Sequence, residues 1–115
     1  MPQRNKIPEK YIQKSILQYL NIRGYVCKRN NAGMARDSYH GKERFFKVGE
    51  AGWPDIEGIT NKNHQRGSGV YFGIEVKSEK GILSQSQRWI GQRILDTNGI
   101  YFIARNLDDV IAKGF

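Results

Sequence analysis

The apolar and polar positions of this 115-residue chain follow two spacings, one close to four residues and one of two. These spacings predict helices and strands respectively, because side chains return to one face after about 3.6 residues in a helix and after two in a strand. The expected helices cover residues 8–24, 84–98 and 107–113. The expected strands cover residues 25–27, 45–48, 55–59, 70–77 and 100–104.

Cap and turn residues separate these elements. Ser84 stands three residues before Gln87, which is the spacing of a capping box at a helix N-terminus. Residues 61–69 are turn-forming throughout and predict a hairpin, whereas the polar residues 28–42 are expected to form a loop. The order of elements predicts one domain over residues 1–115, of α/β class, with a mixed central sheet flanked by helices.

The charge balance indicates a polyanionic partner. The net charge is +8, and most of the excess lies in the first 50 residues. A basic chain gains affinity for nucleic acid by releasing counterions from phosphates, although net charge also serves solubility alone. The apolar runs are too short to span a bilayer, and the N-terminal residues lack an apolar leader, so we expect a cytoplasmic protein with no membrane partner.

Cysteine and histidine predict no zinc site. Cys27 is the single cysteine of the chain and is expected to pack as a small hydrophobic residue. His40 and His64 lie in predicted loops with no partner at ligand spacing, so both are expected to be surface histidines.

The strand predicted at 70–77 carries the residues with chemical potential. Its alternation puts the apolar set on one face, and Glu75 and Lys77 on the other, beside Gly73, which leaves space there. Asp55 begins the neighbouring strand, so hairpin pairing would gather two carboxylates and a lysine. Such a group suits Mg²⁺ or Mn²⁺ and metal-assisted phosphodiester hydrolysis. A salt bridge between Glu75 and Lys77 on an exposed sheet face is the alternative, and spacing alone does not decide.

Three strings resemble the PD-(D/E)xK nuclease superfamily, and more narrowly its VRR-NUC family. They are G-W-P-D-I at 52–56, I-E-V-K-S-E-K-G at 74–81 and L-S-Q-S-Q at 83–87. With the first helix, the R-N-N-A-G stretch at 29–33 and the last strand, the likeness covers most of the chain. It implies a restriction-endonuclease-like fold.

The resemblance also implies roles for individual residues. The metal ligands would be Asp55, Glu75 and the backbone carbonyl of Val76, and Lys77 would be the catalytic lysine. Family members use a glutamate on the first helix, which Glu9 matches as a further ligand. They use a glutamine on the second helix, which Gln87 matches as a catalytic residue. Favourable charge or capping at a helix N-terminus is the alternative role of these two residues.

Basic residues near the predicted site are expected to bind phosphates on either side of the scissile bond, with a solvated basic loop as the alternative. They are Lys28, Arg29, Arg36, Lys42, Arg44 and Lys47, together with Arg66 at the predicted hairpin tip. Trp89 and Ile90 are expected in the core rather than as base-stacking platforms. Tyr71, on the acidic face, either contacts substrate or covers the sheet.

Together these expectations describe a DNA endonuclease that depends on Mg²⁺ or Mn²⁺ and uses no small-molecule cofactor. The resemblance implies a homodimer acting on branched DNA such as a four-way (Holliday) junction, in a bacterium or from a phage in the host cytoplasm. A dimer fits because one small domain offers one site, and paired cuts need two. The alternatives are a basic domain that binds nucleic acid without cutting it, and a nuclease for flaps, single strands or nicked DNA.

Overall fold

The computed structural model describes residues 7–30, 33–39, 42–48 and 51–115, the two middle segments as strand backbone only. The helices in these residues are α1 (Glu9–Ile22), α2 (Gln85–Asp96) and α3 (Leu107–Ala112). The strands are β1 (Val26–Arg29), β2 (Gly33–Tyr39), β3 (Lys42–Val48), β4 (Ile56–Ile59), β5 (Tyr71–Val76) and β6 (Ile100–Ala104).

Four strands form a mixed sheet in the order β1, β4, β5, β6. β4 pairs antiparallel with both β1 and β5, and β5 pairs parallel with β6. The parallel pair requires a crossover, which α2 supplies. The expected α/β fold with a mixed sheet and flanking helices is confirmed, as is the predicted hairpin between β4 and β5. Because Ile56 lies opposite Ile74, Asp55 falls beside the end of β5.

Residues 28–42 do not form the loop that their polarity predicts. β1 continues to Arg29, and β2 pairs antiparallel with β3 in a separate two-stranded sheet, from Gly33 opposite Val48 to Tyr39 opposite Lys42. Strand pairing depends on backbone hydrogen bonds, and a strand without apolar alternation gives no periodic signal by which to recognise it.

The core lies between the sheet and the helices α1 and α3. Phe72, Ile74 and Val76 of β5 have no exposed area and share one face, as their alternation predicts. Ile16 and Leu20 of α1 are equally buried against them. The rest of this core comprises Ile12, Tyr25, Ile56, Phe102, Ala104, Val110 and Phe115, with Cys27 half-buried against it as expected.

The helix α2 packs closely on the other face of β5 and β6, the face directed away from this core. A Cβ atom on Gly91 would lie 2.3 Å from the ring of Tyr101, and one on Gly73 would lie 2.4 Å from Cγ of Pro54. Both contacts are too short for any residue but glycine unless the neighbour shifts. Glu75, on the same face as Gly73, therefore lies beneath other elements rather than on an open sheet.

Two side chains occupy environments opposite to those expected. His64 is 4% exposed, not a surface histidine, because its ring packs on Phe115 at 4.5 Å and its Nε2 lies 3.2 Å from the Lys113 carbonyl. Trp89 is 60% exposed rather than in the core, because Gly91 and Ile94 form the buried side of α2. Ile90 is half-buried, and His40 lies outside the described residues.

No helix among the residues described combines the length and apolar character needed to cross a membrane.

Candidate active site

Asp55 is held in place by the loop that precedes β4. The Asn30 backbone N–H donates to the Asp55 carbonyl at 2.7 Å, and Asn30 Nδ2 donates to the Pro54 carbonyl at 2.8 Å. Gly52 has φ of +90°, and a Cβ there would lie 2.7 Å from the Ser86 carbonyl oxygen, so the loop packs directly on the start of α2. Asp55 Oδ2 in turn accepts a 2.8 Å hydrogen bond from the Val76 N–H.

Glu75 is the buried carboxylate of this group and has no exposed area. Gln87 Nε2 donates to its Oε1 at 3.0 Å, and the Tyr101 hydroxyl donates to its Oε2 at 3.3 Å. Burial first, and then a hydrogen bond and charge repulsion from Asp55, raise the pKa of Glu75 to about 8 despite the opposing effects of Lys77 and Tyr101. Without a cation, Glu75 therefore binds a proton more tightly than an ordinary carboxyl does.

Burial and Glu75 also raise the pKa of Tyr101 above its ordinary value. The Tyr101 hydroxyl thus stays protonated at any physiological pH and acts as a donor to the carboxylate. Its ring sits against Gly91 of α2, so the close helix packing seen above is also what brings the hydroxyl to the site.

Lys77 lies on the same face of its strand as Glu75, one step beyond β5. Its backbone N–H donates to the Ala104 carbonyl at 3.1 Å, which extends the pairing with β6. A Cβ on Gly81 would lie 3.2 Å from Cβ and 3.3 Å from Cδ of Lys77, so the chain after the strand folds back over the lysine stem. The half-buried Lys77 side chain is thereby held close to Glu75. Its positive charge lowers the pKa of Glu75 and so opposes the effect of burial.

The loop 78–81, between Lys77 and α2, is fixed from two sides. Glu9 Oε1 accepts a 3.1 Å hydrogen bond from the Ser78 N–H. From the other side, Arg105 Nη1 donates to the carbonyls of Ser78 at 2.6 Å, Glu79 at 3.3 Å and Gly81 at 2.9 Å. The Arg105 N–H donates to Asp109 Oδ2 at 2.8 Å, which ties this arrangement to α3.

The donor set of this region fits a hard divalent cation. Asp55, Glu75 and the Val76 carbonyl offer oxygen ligands at one end of β5, and oxygen is the ligand atom that Mg²⁺ and Mn²⁺ prefer. A cation would also replace the proton that burial and Asp55 impose on Glu75. Within residues 7–30 and 51–115, no three acidic, histidine or cysteine side chains converge as a metal site. Glu9, expected as a further ligand, contacts the loop through Ser78.

The capping role weighed for Gln87 is confirmed, and the same side chain also contacts a carboxylate of the predicted site. It completes the capping box with Ser84, and it also donates to Glu75. The burial of Glu75 excludes the alternative of an exposed salt bridge with Lys77.

The predicted phosphate-binding residues are spread over the molecule. Lys28 is exposed in β1 and forms a 3.4 Å ion pair with Glu57, and Arg29 beside it is exposed. Arg66 does not reach the carboxylates, because the hairpin 61–69 lies at the opposite end of β5, where Arg66 Nη2 donates to the Asn98 carbonyl at 2.6 Å. The side chains of Arg36, Lys42, Arg44 and Lys47 lie outside the described part of the chain.

Three residues of the site were not expected from the sequence. Tyr101, Arg105 and Asn30 reach it through contacts distant in sequence. Of the three, only Tyr101 could have been found from the sequence pattern. Once β6 is paired in register, with Tyr101 opposite Gly73, strand alternation puts Tyr101 on the same side of the sheet as Glu75.

The chain matches no protein-family model, no curated protein and no solved structure.

Proposed function

We propose that this protein is a metal-dependent nuclease of the PD-(D/E)xK type, with a restriction-endonuclease-like fold. The observation that supports this best is the position of two carboxyls, Asp55 and the fully buried Glu75, side by side at the end of β5, with Lys77 on the same face. Burying two like charges together costs stability unless a cation or a proton compensates them. A cation bound between the two carboxyls would supply that compensation.

The residues that would hold Mg²⁺ or Mn²⁺ are Asp55, Glu75 and the carbonyl of Val76. When bound, such an ion lowers the pKa of water and stabilises the charge that develops on the phosphate in hydrolysis. Asp55 is oriented by the Val76 N–H, and Glu75 by Gln87 and Tyr101. These donors fix the carboxylates before substrate arrives, as preorganised sites require.

Lys77 is the residue placed to act on the reacting groups. Its ammonium group orients the attacking water or stabilises charge on the scissile phosphate. Gly81 against its stem and the bonds to Glu9 and Arg105 limit how far the lysine and the following loop move. Glu9 supports the site through the loop, and its second carboxylate oxygen stays available as the further metal ligand that the resemblance implies.

For the substrate we propose DNA, with a homodimer acting on branched forms such as a four-way junction. The net charge of +8 favours a nucleic-acid partner. The sharpest test of the activity is cleavage of labelled four-way junction, flap, single strand and linear duplex in Mg²⁺, Mn²⁺ or EDTA. We expect metal-dependent cutting that Lys77→Ala abolishes, and paired cuts in the junction.

The matched control is Lys62→Ala, which removes an exposed lysine in the hairpin at the other end of β5. It should cut like the wild type. Binding without cutting in every metal would reject the nuclease and favour a non-catalytic binding domain. Cutting confined to flaps, single strands or nicked DNA would support a nuclease but reject the four-way junction as its substrate.

A further inference from the structure

A groove of about 550 Å³ opens on the α2 side of the sheet, beyond the carboxylates. Its walls are mostly apolar and aromatic, formed by Trp53, Tyr71, Ile90 and Ile94. Arg93, Asp96 and Thr97 of the α2 end complete its rim. The volume is in the range of pockets that take flat organic groups, about 300–1,000 Å³.

The groove and the proposed active site lie along the same two elements, β5 and α2, with the buried Pro54 packed over Gly73 between them. On β5, Glu75, Gly73 and Tyr71 share one face, and the four steps along the strand from Glu75 to Tyr71 span about 13 Å at a rise of about 3.3 Å per residue. On α2, Gln87 lies about one turn before Ile90. A strand with a phosphate at the carboxylates covers that distance in a few nucleotides, at about 3.4 Å each.

Trp53 stands on the same short loop as Asp55. The loop is held against α2 by the close approach of Gly52 to the Ser86 carbonyl, and against β1 by Asn30. The Trp53 side chain is still 37% exposed. The indole therefore lines the groove from a loop whose backbone is fixed by the same contacts that hold Asp55.

Arg93, on the rim of the groove, lies against an aromatic ring outside it. The Arg93 guanidinium lies over the ring of Trp89 at 4.8 Å from its centroid, and Trp89 is 60% exposed. The carboxylate of Asp96 is also at this end, where its Oδ1 accepts a 2.9 Å hydrogen bond from Gln92. The groove thus offers aromatic faces along its length and an arginine at its edge.

We propose that this groove binds an unpaired base of the strand whose phosphate lies at the Asp55 and Glu75 site, with Arg93 contacting a neighbouring phosphate. The inference rests on the proposed function and extends it to the substrate class. Aromatic side chains stack with any base, and arginine adds attraction to the backbone. A base within a duplex is already stacked and paired, so the groove takes a nucleotide that is already unpaired, as in a flap, or one that opens at a branch point.

Binding in EDTA tests this without cleavage. Fluorescence anisotropy with a labelled oligothymidylate, and with a duplex of equal length, compares the wild type with Trp53→Ala, Trp53→Phe and Arg93→Gln. We expect Trp53→Ala to weaken single-strand binding about 5- to 100-fold, Trp53→Phe to restore most of it, and duplex binding to change less than threefold. Arg93→Gln should weaken binding to the single strand and lower its dependence on salt.

The control Ile22→Ala removes an exposed apolar side chain at the far end of α1 and should bind as the wild type does. Unchanged Mn²⁺ affinity of Trp53→Ala in calorimetry shows that its loop still carries Asp55 correctly. Arg93→Gln, on the helix surface, keeps the test decisive if Trp53→Ala does not fold.

Wild-type affinity for single strands in both Trp53→Ala and Arg93→Gln, or in Arg93→Gln alone if Trp53→Ala does not fold, would overturn the inference while leaving the nuclease intact. A change of oligomeric state in Arg93→Gln, seen by light scattering, with unchanged DNA binding would overturn it in favour of a self-association surface. A wild type that neither binds nor cuts any nucleic acid would reject the proposed function itself.

Discussion

Gln87 donates a 3.0 Å hydrogen bond from Nε2 to Oε1 of Glu75, while its own Oε1 accepts from the Ser84 N–H at 2.8 Å. One side-chain amide thus closes the N-terminus of α2 and orients a buried carboxylate. The two functions use opposite ends of the amide, so the helix cap and the site are set by the same rotamer. A substitution that keeps the acceptor and removes the donor separates them.

Gln87→Glu is that substitution. Glutamate at this position still caps the helix, but it replaces the donor to Glu75 with a third carboxylate. We expect the metal-free variant to lose about 1–3 kcal/mol of stability at pH 8, and less at pH 5, where the carboxylates hold more protons. Thermal unfolding at the two pH values in EDTA measures this.

Gln92→Glu is the matched control for that substitution. Gln92 also lies on α2 and also donates to a carboxylate, Asp96 Oδ1, at 2.9 Å, but this pair is exposed. Solvent screens charges there, so the loss should be below about 1 kcal/mol. Equal losses of stability in the two variants would mean that burial of the contact between Gln87 and Glu75 does not increase the effect of the substitution.

The pKa of Glu75 predicts how stability depends on pH. Its value of about 8 in the folded protein lies above the ordinary 4.5, so the folded state holds this proton more tightly than the unfolded state. The resulting stabilisation is present below pH 4.5 and is lost as the pH rises through 8. In EDTA, the wild type should therefore lose stability relative to Glu75→Gln between pH 5 and pH 8. A difference in melting temperature that stays constant over this range would contradict the raised pKa.

Asp55→Asn should abolish cleavage, by at least about 100-fold, without weakening DNA binding. Asparagine keeps an oxygen that can accept from the Val76 N–H, but it offers the cation a neutral ligand. Loss of a negative charge near the phosphates also favours binding, so affinity should stay equal or rise. Cleavage and anisotropy on the same labelled DNA measure the two effects. If Asp55→Asn cut at the wild-type rate, the assignment of the cation site would be wrong.

The sequence was informative where a function is encoded locally. The capping box of Ser84 and Gln87, the strand around Glu75 and the pairing that brings Asp55 to it all follow from short spacings. The burial of Glu75 did not follow, because alternation assigns a face but does not show that α2 covers it. The exposure of Trp89 and the burial of His64 likewise depend on packing against distant residues, Gly91 on one side and Phe115 on the other.

Arg105 is the clearest case of a residue that only the fold connects to the site. Its guanidinium binds three carbonyls of the loop 78–81, directly after Lys77, so under the proposed function it is a positioning residue that acts through that loop. Arg105→Ala should lower kcat about 10-fold or more with KM and Mn²⁺ affinity within twofold, because substrate and metal contact other groups. Arg105→Lys, which keeps the charge and fewer donors, should recover part of the rate. A purely structural role of Arg105 predicts instead that kcat per folded molecule stays unchanged while the melting temperature falls. Steady-state kinetics corrected for the folded fraction therefore decides between a positioning role and a structural one.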